Sequence, residues 1–511
     1  MGSPGTVAAG HPETAEVGAQ VLREGGSAVD AAVAAVFASW VCEPLLTGPA
    51  AGGHLLAVPP SEPPLAIDAF CAVPGLGAAA DGPDPIAGLQ AVDVDFGDAH
   101  QVFHAGGAAV AAFGLTDGLV RLHRRWGRLS LSDLTAPAVV LARQGVALNR
   151  QQAYVATLLE RILALTAESR ALWFRDGALL REGQRFVAPE LGDTIERLGC
   201  DGAEPLRTGD LAAACVATCT AAGGQLTARD LADYVAIEGD PLSVAYRDRT
   251  VLTAPPSSAG GVLLAMALGH LHRAERTHGK TGGDAPPATN AELIAAMARA
   301  DAERTPEFDL RLYDHGFADR LLALRLGSTT HLSVIDADGL GCAITCTNGE
   351  GSGVVVPGTG IHLNNVMGEE DLNPRLRPGG ADLPRLPAGR RMPSMMAPTA
   401  VLRDGATEAV LGSAGSSRIR SALLQTIVGL VDHGRDPVAA VEAPRLHVED
   451  GTVYVEPGVD VPHGAVGADP VVRFREPNLF FGGVQVVGRD PLSGALSAAG
   501  DPRRGGAVVV A

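Results

Sequence analysis

Two adjacent threonines, Thr329 and Thr330, open a strand-like run in the interior of the chain, "GSTTHLSVIDADG" (327–339). A threonine hydroxyl is a weak nucleophile until a base activates it. If the Thr329 hydroxyl attacked the preceding Ser328 carbonyl, an N-to-O acyl shift followed by hydrolysis would cut the chain there. The new α-amine of Thr329, with an unperturbed pKa of about 7.7–8, could then serve as base to its own hydroxyl. The alternative is that the pair simply favours a β-strand, as β-branched residues do.

A second hydroxyl is predicted to face Thr329 across a hairpin. The runs "THLSVID" and "GCAITCT" flank a turn at Ala337-Asp338-Gly339. If the turn centres on Asp338, Thr329 lies opposite Thr347, and a two-residue turn would shift this pairing by one position. A strand-start threonine with a hydroxyl opposite suits the mechanism of an N-terminal nucleophile hydrolase.

Other motifs that carry chemistry are absent or incomplete. The chain has no H-E-x-x-H zinc helix, no G-x-S-x-G nucleophile elbow and no complete dinucleotide-binding G-x-G-x-x-G after a strand. The "GKT" at 279–281 resembles half a P-loop, but Ala274 occupies the place of its first glycine. We therefore expect neither a metal site nor a cofactor.

Bulk properties narrow the class of partner. The chain carries 40 Lys and Arg against 58 Asp and Glu, for a net charge of −18, which argues against nucleic acid and anionic membranes. Seven widely spaced cysteines without a C-x-x-C fit a reducing compartment. There is no leader with a basic and an apolar region, and no apolar run of about 18 residues. These patterns predict a cytoplasmic protein without a membrane span.

The elements that must position the threonines can be read from periodicity. Helical spacing over residues 11–42 predicts two helices broken at Gly25-Gly26, the second capped near Ser27. Residues 110–180 have a helical pattern, and residues 223–261 predict a helix followed by two strands and a glycine loop. Helices early and in the middle, with antiparallel strands late, indicate layered α and β structure without repeats.

Several stretches resemble the γ-glutamyltranspeptidase family in order and spacing, from end to end of the chain. In the first part they are "GGSAVDAAVAA" (25–35), "GPAAGGHLL" (48–56), "LTARDLADYVAIEGDPLSVAYR" (226–247) and "PPSSAGG" (255–261). In the second part they are "STTHLSVIDADG" (328–339), "GTGIHLNNVMGEEDLNP" (358–374), "SMMAPTAVL" (394–402), "LGSAGSSRI" (411–419) and "DPRRGG" (501–506).

The resemblance implies an α+β fold, a four-layer αββα sandwich in one compact unit. It also implies maturation into a large-subunit segment, residues 1–328, and a small-subunit segment, residues 329–511, by cleavage at Ser328–Thr329. Thr329 would be the nucleophile and Thr347 would hydrogen-bond its amine or hydroxyl. Backbone N–H groups of Gly415 and Ser416 in "GSAGSS" would form the oxyanion hole, unless this segment is a plain glycine turn. Asn348 lies one position before the place of a substrate-holding asparagine in the family.

The substrate pocket departs from the family pattern. The family holds the α-carboxylate of a glutamyl group with an arginine in a stretch like I-D-x-R-E-x-A-P, but "IDAFCAVP" (67–74) has Phe70 and Cys71 at the arginine and glutamate positions. A phenyl ring cannot replace a bidentate guanidinium. Further candidate substrate contacts align with the family's paired serines, its glutamine and its acidic residue: Ser394, Met395, Val366, Glu369 and the adjacent Glu370. Phe70, Val366 and Met395 would make the pocket more apolar if they line it, or they are core substitutions. Arginines in the 375–391 loop are alternative carboxylate contacts.

Three functions are compatible with this sequence. The first is an autoprocessing amidohydrolase that passes a γ-glutamyl or related small acyl group from Thr329 to water, or to an amine. The second is a biosynthetic hydrolase of the same family acting on a non-glutamyl substrate, including carbon–carbon bond cleavage in pathways to 4-alkylproline antibiotic units. The third is an uncleaved, non-catalytic binding homologue. The expected partners are a small-molecule substrate and the two fragments themselves, as a heterodimer or a dimer of heterodimers.

Overall fold

The computed structural model describes residues 5–78, 84–95, 100–277, 286–303, 329–370, 372–376, 380, 382–462 and 470–511. Ser328 lies outside the described residues. In the part of the chain that is described, no helix is both long and apolar enough to cross a membrane. All seven cysteines are described, and each is a free thiol.

The helices of the described residues fall in two groups, one early and one after residue 258. They are α1 (Pro12–Arg23), α2 (Ala28–Cys42), α3 (Leu115–Trp126), α4 (Leu131–Gln144), α5 (Arg150–Leu158), α6 (Glu160–Leu163), α7 (Ala167–Trp173), α8 (Pro189–Asp201), α9 (Glu204–Arg207), α10 (Asp210–Ala221), α11 (Ala228–Ala232), α12 (Ala259–Thr277), α13 (Asn290–Ala302), α14 (Arg418–Val431) and α15 (Pro437–Glu442).

The strands are distributed along the whole described chain. They are β1 (Gly5–Ala9), β2 (Gly52–Val58), β3 (Leu65–Ala69), β4 (Gln90–Asp95), β5 (His100–Ala105), β6 (Val146–Ala147), β7 (Phe174–Arg175), β8 (Ala178–Leu179), β9 (Arg185–Phe186), β10 (Ile237–Gly239), β11 (Leu242–Tyr246), β12 (Arg249–Thr253), β13 (Thr330–Asp336), β14 (Gly341–Thr347), β15 (Thr399–Arg403), β16 (Ala406–Ala414), β17 (Leu446–Glu449), β18 (Thr452–Val455), β19 (Val471–Arg473), β20 (Gly483–Arg489), β21 (Leu496–Gly500) and β22 (Ala507–Val510).

Two sheets stack face to face and form the inner layers. The first has the order β10-β3-β2-β14-β13-β1-β22 and the second has the order β11-β12-β15-β16-β20-β21. Apolar side chains from both sheets meet between them, among them Leu56, Ile335 and Ala343 from the first and Val410 and Val487 from the second. This cluster is the buried centre of the sandwich, as expected for aligned sheets whose inner faces interdigitate.

Helices cover the two outer faces and complete the four layers. Helices α1 and α2 pack on the first sheet, against β1 and β13, while α12 and α14 pack on the second, against β11 and β16. The predicted αββα architecture is therefore confirmed. The antiparallel sheets are built from both sides of residue 328, because β13 and β14 are central strands of the first sheet.

The break between α1 and α2 follows the sequence prediction. Gly25 has φ +93°, a left-handed conformation that glycine adopts without strain. Ser27 caps α2: its Oγ accepts from the Asp30 N–H at 3.1 Å, and Asp30 Oδ2 accepts from the Ser27 N–H at 2.9 Å. Every residue of α2 is buried, so this small-residue helix lies wholly inside the protein.

Residues 223–261 contain one strand more than the sequence predicted. A short helix, α11, is followed by β10, β11 and β12. Strand β10 has only three residues, all exposed, and pairs with β3 at the edge of the first sheet. A strand of three exposed residues is too short to show the alternation that marks a half-buried strand.

Candidate active site

The predicted hairpin carries the candidate nucleophile in the register that the sequence indicated. Thr330 pairs with Cys346 in the antiparallel ladder of β13 and β14. Continuing that ladder by one residue places Thr329 opposite Thr347. Both threonines are buried, with 2% and 3% of their surface exposed. The register prediction is confirmed, while the chemical role of the two hydroxyls remains a prediction.

A buried chain of hydrogen bonds runs below the threonines on the face toward the second sheet. His331 Nδ1 lies 2.7 Å from Thr345 Oγ1, and His331 Nε2 lies 2.9 Å from Ser333 Oγ. Ser333 Oγ donates to the Gln485 carbonyl at 3.2 Å, so it accepts from Nε2–H, and Thr345 donates to Nδ1. Burial lowers the pKa of His331 to about 3, which keeps the imidazole neutral. This series of hydrogen bonds holds in place the face of β13 on which the Thr329 side chain also lies.

The Gly415–Ser416 segment lies at the same end of the stacked sheets. The ring of His331 fills the space that a side chain at Gly412 would need. A Cβ on Gly341, the partner of Ile335, would in turn lie 2.8 Å from Val410 Cγ1. The direction from Ile335 to Thr329 along β13 is therefore the direction from Val410 to Gly415 along β16. Gly415 has φ +117° and Ser416 has φ +71°, and this left-handed backbone turns the chain from β16 into α14. The structure therefore places this loop near the hairpin end that carries Thr329, and its role as an oxyanion hole stays a prediction.

A phenyl ring stands where the family pattern has an arginine. Phe70 directly follows β3, is fully buried and stacks on His54 with ring centroids 5.9 Å apart. Gly52 pairs with Thr347, and a Cβ on Gly52 would lie 2.9 Å from Phe70 Cδ2. Phe70 is thus one strand away from the candidate catalytic hairpin. Its carbonyl accepts from the Tyr234 hydroxyl at 2.6 Å, which fixes the backbone of this turn.

Polar groups behind Phe70 are paired with one another. Asp68 Oδ2 accepts from Ser257 Oγ at 2.8 Å and lies 3.6 Å from Arg391 Nε. The Arg391 guanidinium lies 4.0 Å from the centroid of the Tyr234 ring, a cation–π contact. In the same loop, both terminal nitrogens of Arg375 donate to Asp84, at 2.7 and 2.8 Å. These two arginines of the 375–391 loop therefore have protein partners.

Acceptor groups gather on the other side of Thr347. Gly349 N donates to Thr347 Oγ1 at 2.8 Å. A Cβ on Gly349 would touch Asn365 Oδ1 and would lie 2.5 Å from Glu369 Oε1. The Glu369 carboxylate is buried, and it lies against Gly349 in the loop that follows Thr347. Asn348 binds the His362 carbonyl through Nδ2 at 3.0 Å.

The other predicted pocket residues are placed differently from one another. Val366 is fully buried in the same core cluster as Phe70. Met395 packs instead with residues of α12 in a separate apolar cluster, and Ser394 Oγ accepts from the Met396 N–H at 3.1 Å. Glu370 is exposed. Of the three apolar replacements, Phe70 and Val366 share a cluster and Met395 does not.

Two features of the site were missed by the sequence reasoning. One is Glu43, whose carboxylate binds the Thr330 hydroxyl at 2.6 Å. The other is the His54 and Ser257 pair beside Asp68, at an Oγ–Nε2 distance of 3.5 Å. His54 lies within the stretch "GPAAGGHLL", so its position in a family-like motif was an available signal. Glu43 lies between the family-like motifs, so the sequence gave no signal for it.

Comparison with known proteins agrees with this geometry. The sequence profile described as Gamma-glutamyltranspeptidase matches residues 14–323 and 309–511. The chain belongs to the γ-glutamyltranspeptidase family. The Acylase ACY 1 proenzyme of Pseudomonas sp. (strain V22) is 32% identical over 486 residues, covering 90% of this chain and 85% of the relative. The Glutathione hydrolase proenzyme of Escherichia coli (strain K12) is 30% identical, covering 87% of this chain and 80% of the relative.

A solved structure supports both the fold and the class of enzyme. The crystal structure of cephalosporin acylase from Bacillus halodurans superposes with a TM-score of 0.80 at 25% identity, covering 99% of this chain and 96% of that one. The protein is thus an enzyme of a hydrolase and acyltransferase family with the N-terminal nucleophile fold. Its relatives include both glutathione hydrolases and acylases, so family membership alone leaves the acyl group open.

Proposed function

We propose that the chain cuts itself between Ser328 and Thr329, and that Thr329 then hydrolyses a small-molecule amide through an acyl ester. The observation that carries this proposal is the pairing of Thr329 with Thr347 at the end of two central strands. The Gly415–Ser416 loop lies at the same end of the sandwich. A nucleophile, a second hydroxyl and backbone donors in one place are the parts that acyl transfer requires.

The self-cleavage step balances without any added group except water. The Thr329 hydroxyl attacks the Ser328 carbonyl, the peptide C–N bond breaks, and the acyl chain passes to Oγ as an ester. Water hydrolyses the ester and leaves a carboxylate on Ser328 and a free α-amine on Thr329. The N–H groups of Gly415 and Ser416 stabilise the oxyanion of each tetrahedral intermediate, where a single donor is worth about 3 kcal/mol.

Turnover repeats this chemistry on an external amide. The Thr329 amine takes the proton from Oγ as Oγ attacks the substrate carbonyl, and it returns a proton to the leaving amine. Water then hydrolyses the acyl ester and frees the acid. Thr347 Oγ1 accepts from Gly349 N, so its hydrogen is directed elsewhere and can be donated to the amine or hydroxyl of Thr329.

The walls of the site favour an acyl group related to γ-glutamyl but without its carboxylate contact. Phe70 is buried on the β3 side of Thr347 and offers no donor to an anion. Glu369, near the loop after Thr347, supplies a negative charge that suits an ammonium group on the acyl chain. We infer that substrate recognition uses the amine through Glu369 and apolar contact through Phe70, with Asn348 and Val366 shaping the space between them.

Three matched p-nitroanilides test this inference. The γ-glutamyl anilide carries both an α-amine and an α-carboxylate, the 4-aminobutyryl anilide keeps only the amine, and the glutaryl anilide keeps only the carboxylate. We expect kcat/KM for the 4-aminobutyryl anilide to equal or exceed that for the γ-glutamyl anilide, with the glutaryl anilide lowest. Thr329→Ala protein is the blank for each substrate. A clear preference for the γ-glutamyl anilide would show that the carboxylate is held after all.

The same assay separates the alternative functions. A processed enzyme that acylates Thr329 with none of the anilides would favour the specialised biosynthetic hydrolase, including carbon–carbon bond cleavage. An unprocessed chain without turnover would favour the binding homologue. We further propose that the fragments remain together as a heterodimer, or a dimer of heterodimers, in the cytoplasm. The seven free thiols support that location.

A further inference from the structure

The loop after α2 reaches the strand that carries the candidate nucleophile. Glu43 is the C-cap residue that follows α2, and it is 2% exposed. Glu43 Oε2 accepts from the Thr330 hydroxyl at 2.6 Å, and Oε1 accepts from the Thr14 hydroxyl of α1 at 3.3 Å. Charge-assisted O–H···O⁻ bonds of this length are among the stronger hydrogen bonds in proteins. The residue next to Thr329 is therefore tied to the helical layer.

The same loop also holds the partner strand. Thr47 Oγ1 donates to Cys346 Sγ at 3.3 Å, and Asn348 N donates to the Leu46 carbonyl at 2.9 Å. Cys346 is the direct cross-strand partner of Thr330. The loop thus contacts both strands at the pair of residues adjacent to Thr329 and Thr347.

We propose that Glu43 is a positioning residue that holds Thr329 in attack geometry through Thr330, in self-cleavage and in turnover. This proposal rests on the proposed function of Thr329. Side chains alternate along a strand, so Thr330 faces the helices while Thr329 faces the second sheet. Glu43 therefore does not touch the substrate. It fixes the backbone from which the nucleophile projects, and a shift of about 1 Å at such a site can lower a rate by about 100-fold.

The surroundings of Glu43 make its hydrogen bond with Thr330 dependent on pH. Burial raises the pKa of Glu43 to about 7, although the hydroxyls of Thr330 and Thr14 lower it. Cys42 on its own helix and Cys346 on β14 lie within electrostatic range, and both thiols have a raised pKa because of burial. His11, at the start of α1, has a pKa lowered to about 4 by burial and is neutral near pH 7.

The ionised carboxylate is the better acceptor, so the hydrogen bond from the Thr330 hydroxyl to Glu43 strengthens as pH rises through about 7. Self-cleavage is the informative reaction for this effect, because the α-amine of Thr329 does not yet exist and cannot add its own titration. We expect the cleavage rate of the natural chain to fall as pH decreases from about 8 to about 6.

The test is a time course of self-cleavage in freshly synthesised full-length chain, followed by intact mass. Thr330→Val removes the hydroxyl, Thr330→Ser keeps it, and Glu43→Gln keeps an acceptor without the charge. Thr194→Val is the matched control, because Thr194 is also buried and donates to a carbonyl, that of Thr359 at 2.8 Å, but lies on α8. We expect cleavage to slow roughly ten- to hundred-fold in Thr330→Val, with Thr330→Ser and Thr194→Val within about threefold of the natural rate.

Two further readouts distinguish positioning from a general loss of stability. Glu43→Gln should flatten the pH dependence of cleavage between about 6 and 8. In processed Thr330→Val protein, kcat for p-nitrophenyl acetate should fall while KM stays within about twofold, because the binding surface is intact.

The outcomes separate the two proposals. If the natural chain cleaves and Thr330→Val and Glu43→Gln cleave at the same rate with the same pH profile, the positioning role is wrong while Thr329 stands. The role is also wrong if Thr194→Val slows cleavage as much as Thr330→Val does. If the natural chain does not cleave at Ser328–Thr329, the proposed function itself fails.

Discussion

Phe70 and His54 lie nearly parallel, with ring centroids 5.9 Å apart and an interplanar angle of 23°. The two rings lie where β3 ends and β2 begins, and β2 pairs with β14, the strand that carries Thr347. His54 is fully buried, and burial lowers its pKa, so the partner of Phe70 is a neutral imidazole. An aromatic contact therefore occupies the place in which the family pattern has an arginine that binds the substrate carboxylate.

Truncation of Phe70 should create a cavity at this wall. Phe70→Ala is expected to lower the free energy of unfolding by roughly 3–5 kcal/mol, since a fully buried phenyl ring is lost and the site can collapse only in part. Urea denaturation monitored by circular dichroism measures the change. Phe70→Leu, which keeps most of the volume, should lose clearly less. Equal losses in the two variants would show that Phe70 does not pack as a core ring.

The Gly415–Ser416 loop, which we propose supplies the oxyanion donors, gives opposite predictions for its two residues. In Gly415→Ala the new Cβ would lie 2.6 Å from the Gly482 Cα, so the backbone must shift and the N–H groups move with it. We expect self-cleavage at least about 100-fold slower. Ser416→Gly keeps both N–H groups and relaxes a positive φ, so its cleavage should remain near the natural rate. The assignment fails if Gly415→Ala cleaves normally or if Ser416→Gly is equally impaired.

Buried neutral histidines should make the fold acid-sensitive. Burial lowers the pKa of His11 and His362 to about 4 and of His331 to about 3. Below about pH 6.5 the unfolded chain binds protons that these residues cannot bind when folded, so stability falls as pH falls. Glu43 has the opposite effect. Its pKa is raised to about 7, so near pH 5 the folded state holds about one proton on Glu43 that the unfolded chain has mostly lost.

For these four groups together, we expect a decrease of about 2.8 kcal/mol per pH unit near pH 5, corresponding to about two protons, and the lowered pKa of buried His54 acts in the same direction. Urea unfolding midpoints from pH 4.5 to 8, at constant ionic strength, provide the measurement. Stability that is flat or increases on acidification would contradict the assignment of these imidazoles as neutral.

Asp432 joins the two segments that cleavage would separate. Its carboxylate accepts from Arg247 Nη2 at 2.7 Å, the Tyr246 hydroxyl at 2.9 Å and the Ala288 N–H at 2.9 Å, and all three partners precede residue 328. Asp432→Asn leaves the buried Arg247 charge without its counter-ion, which typically costs about 3–5 kcal/mol. The processed fragments should then separate at lower urea on size-exclusion chromatography. Asp404→Asn, at an exposed turn, is the control, and identical separation in both variants would contradict the prediction.

Sequence reasoning was sufficient where the signal is local. The alternation in β13 and β14 and the turn around Asp338 define the hairpin and its register without reference to the rest of the chain. The two glycines at 25–26 and the Ser27 cap likewise mark the break between α1 and α2. The αββα layers followed from the family resemblance rather than from periodicity.

The parts that could not be predicted depend on long-range packing. Glu43 and Thr330 are separated by 287 positions, and nothing in either local sequence indicates their contact. The sequence left Met395 open between a pocket residue and a core substitution, because it lies in an irregular segment in which no period reveals the direction of a side chain. The packing of α12 against that segment decides its place.

The most direct test of the central claim is the intact mass of the purified protein under denaturing conditions, with N-terminal sequencing of each fragment. The account predicts two chains whose masses sum to that of the full chain plus one water, the smaller beginning Thr-Thr-His. Thr329→Ala should remain one chain. A natural protein that stays intact through long incubation at neutral pH, like the Thr329→Ala variant, would contradict the assignment of Thr329 as a matured nucleophile.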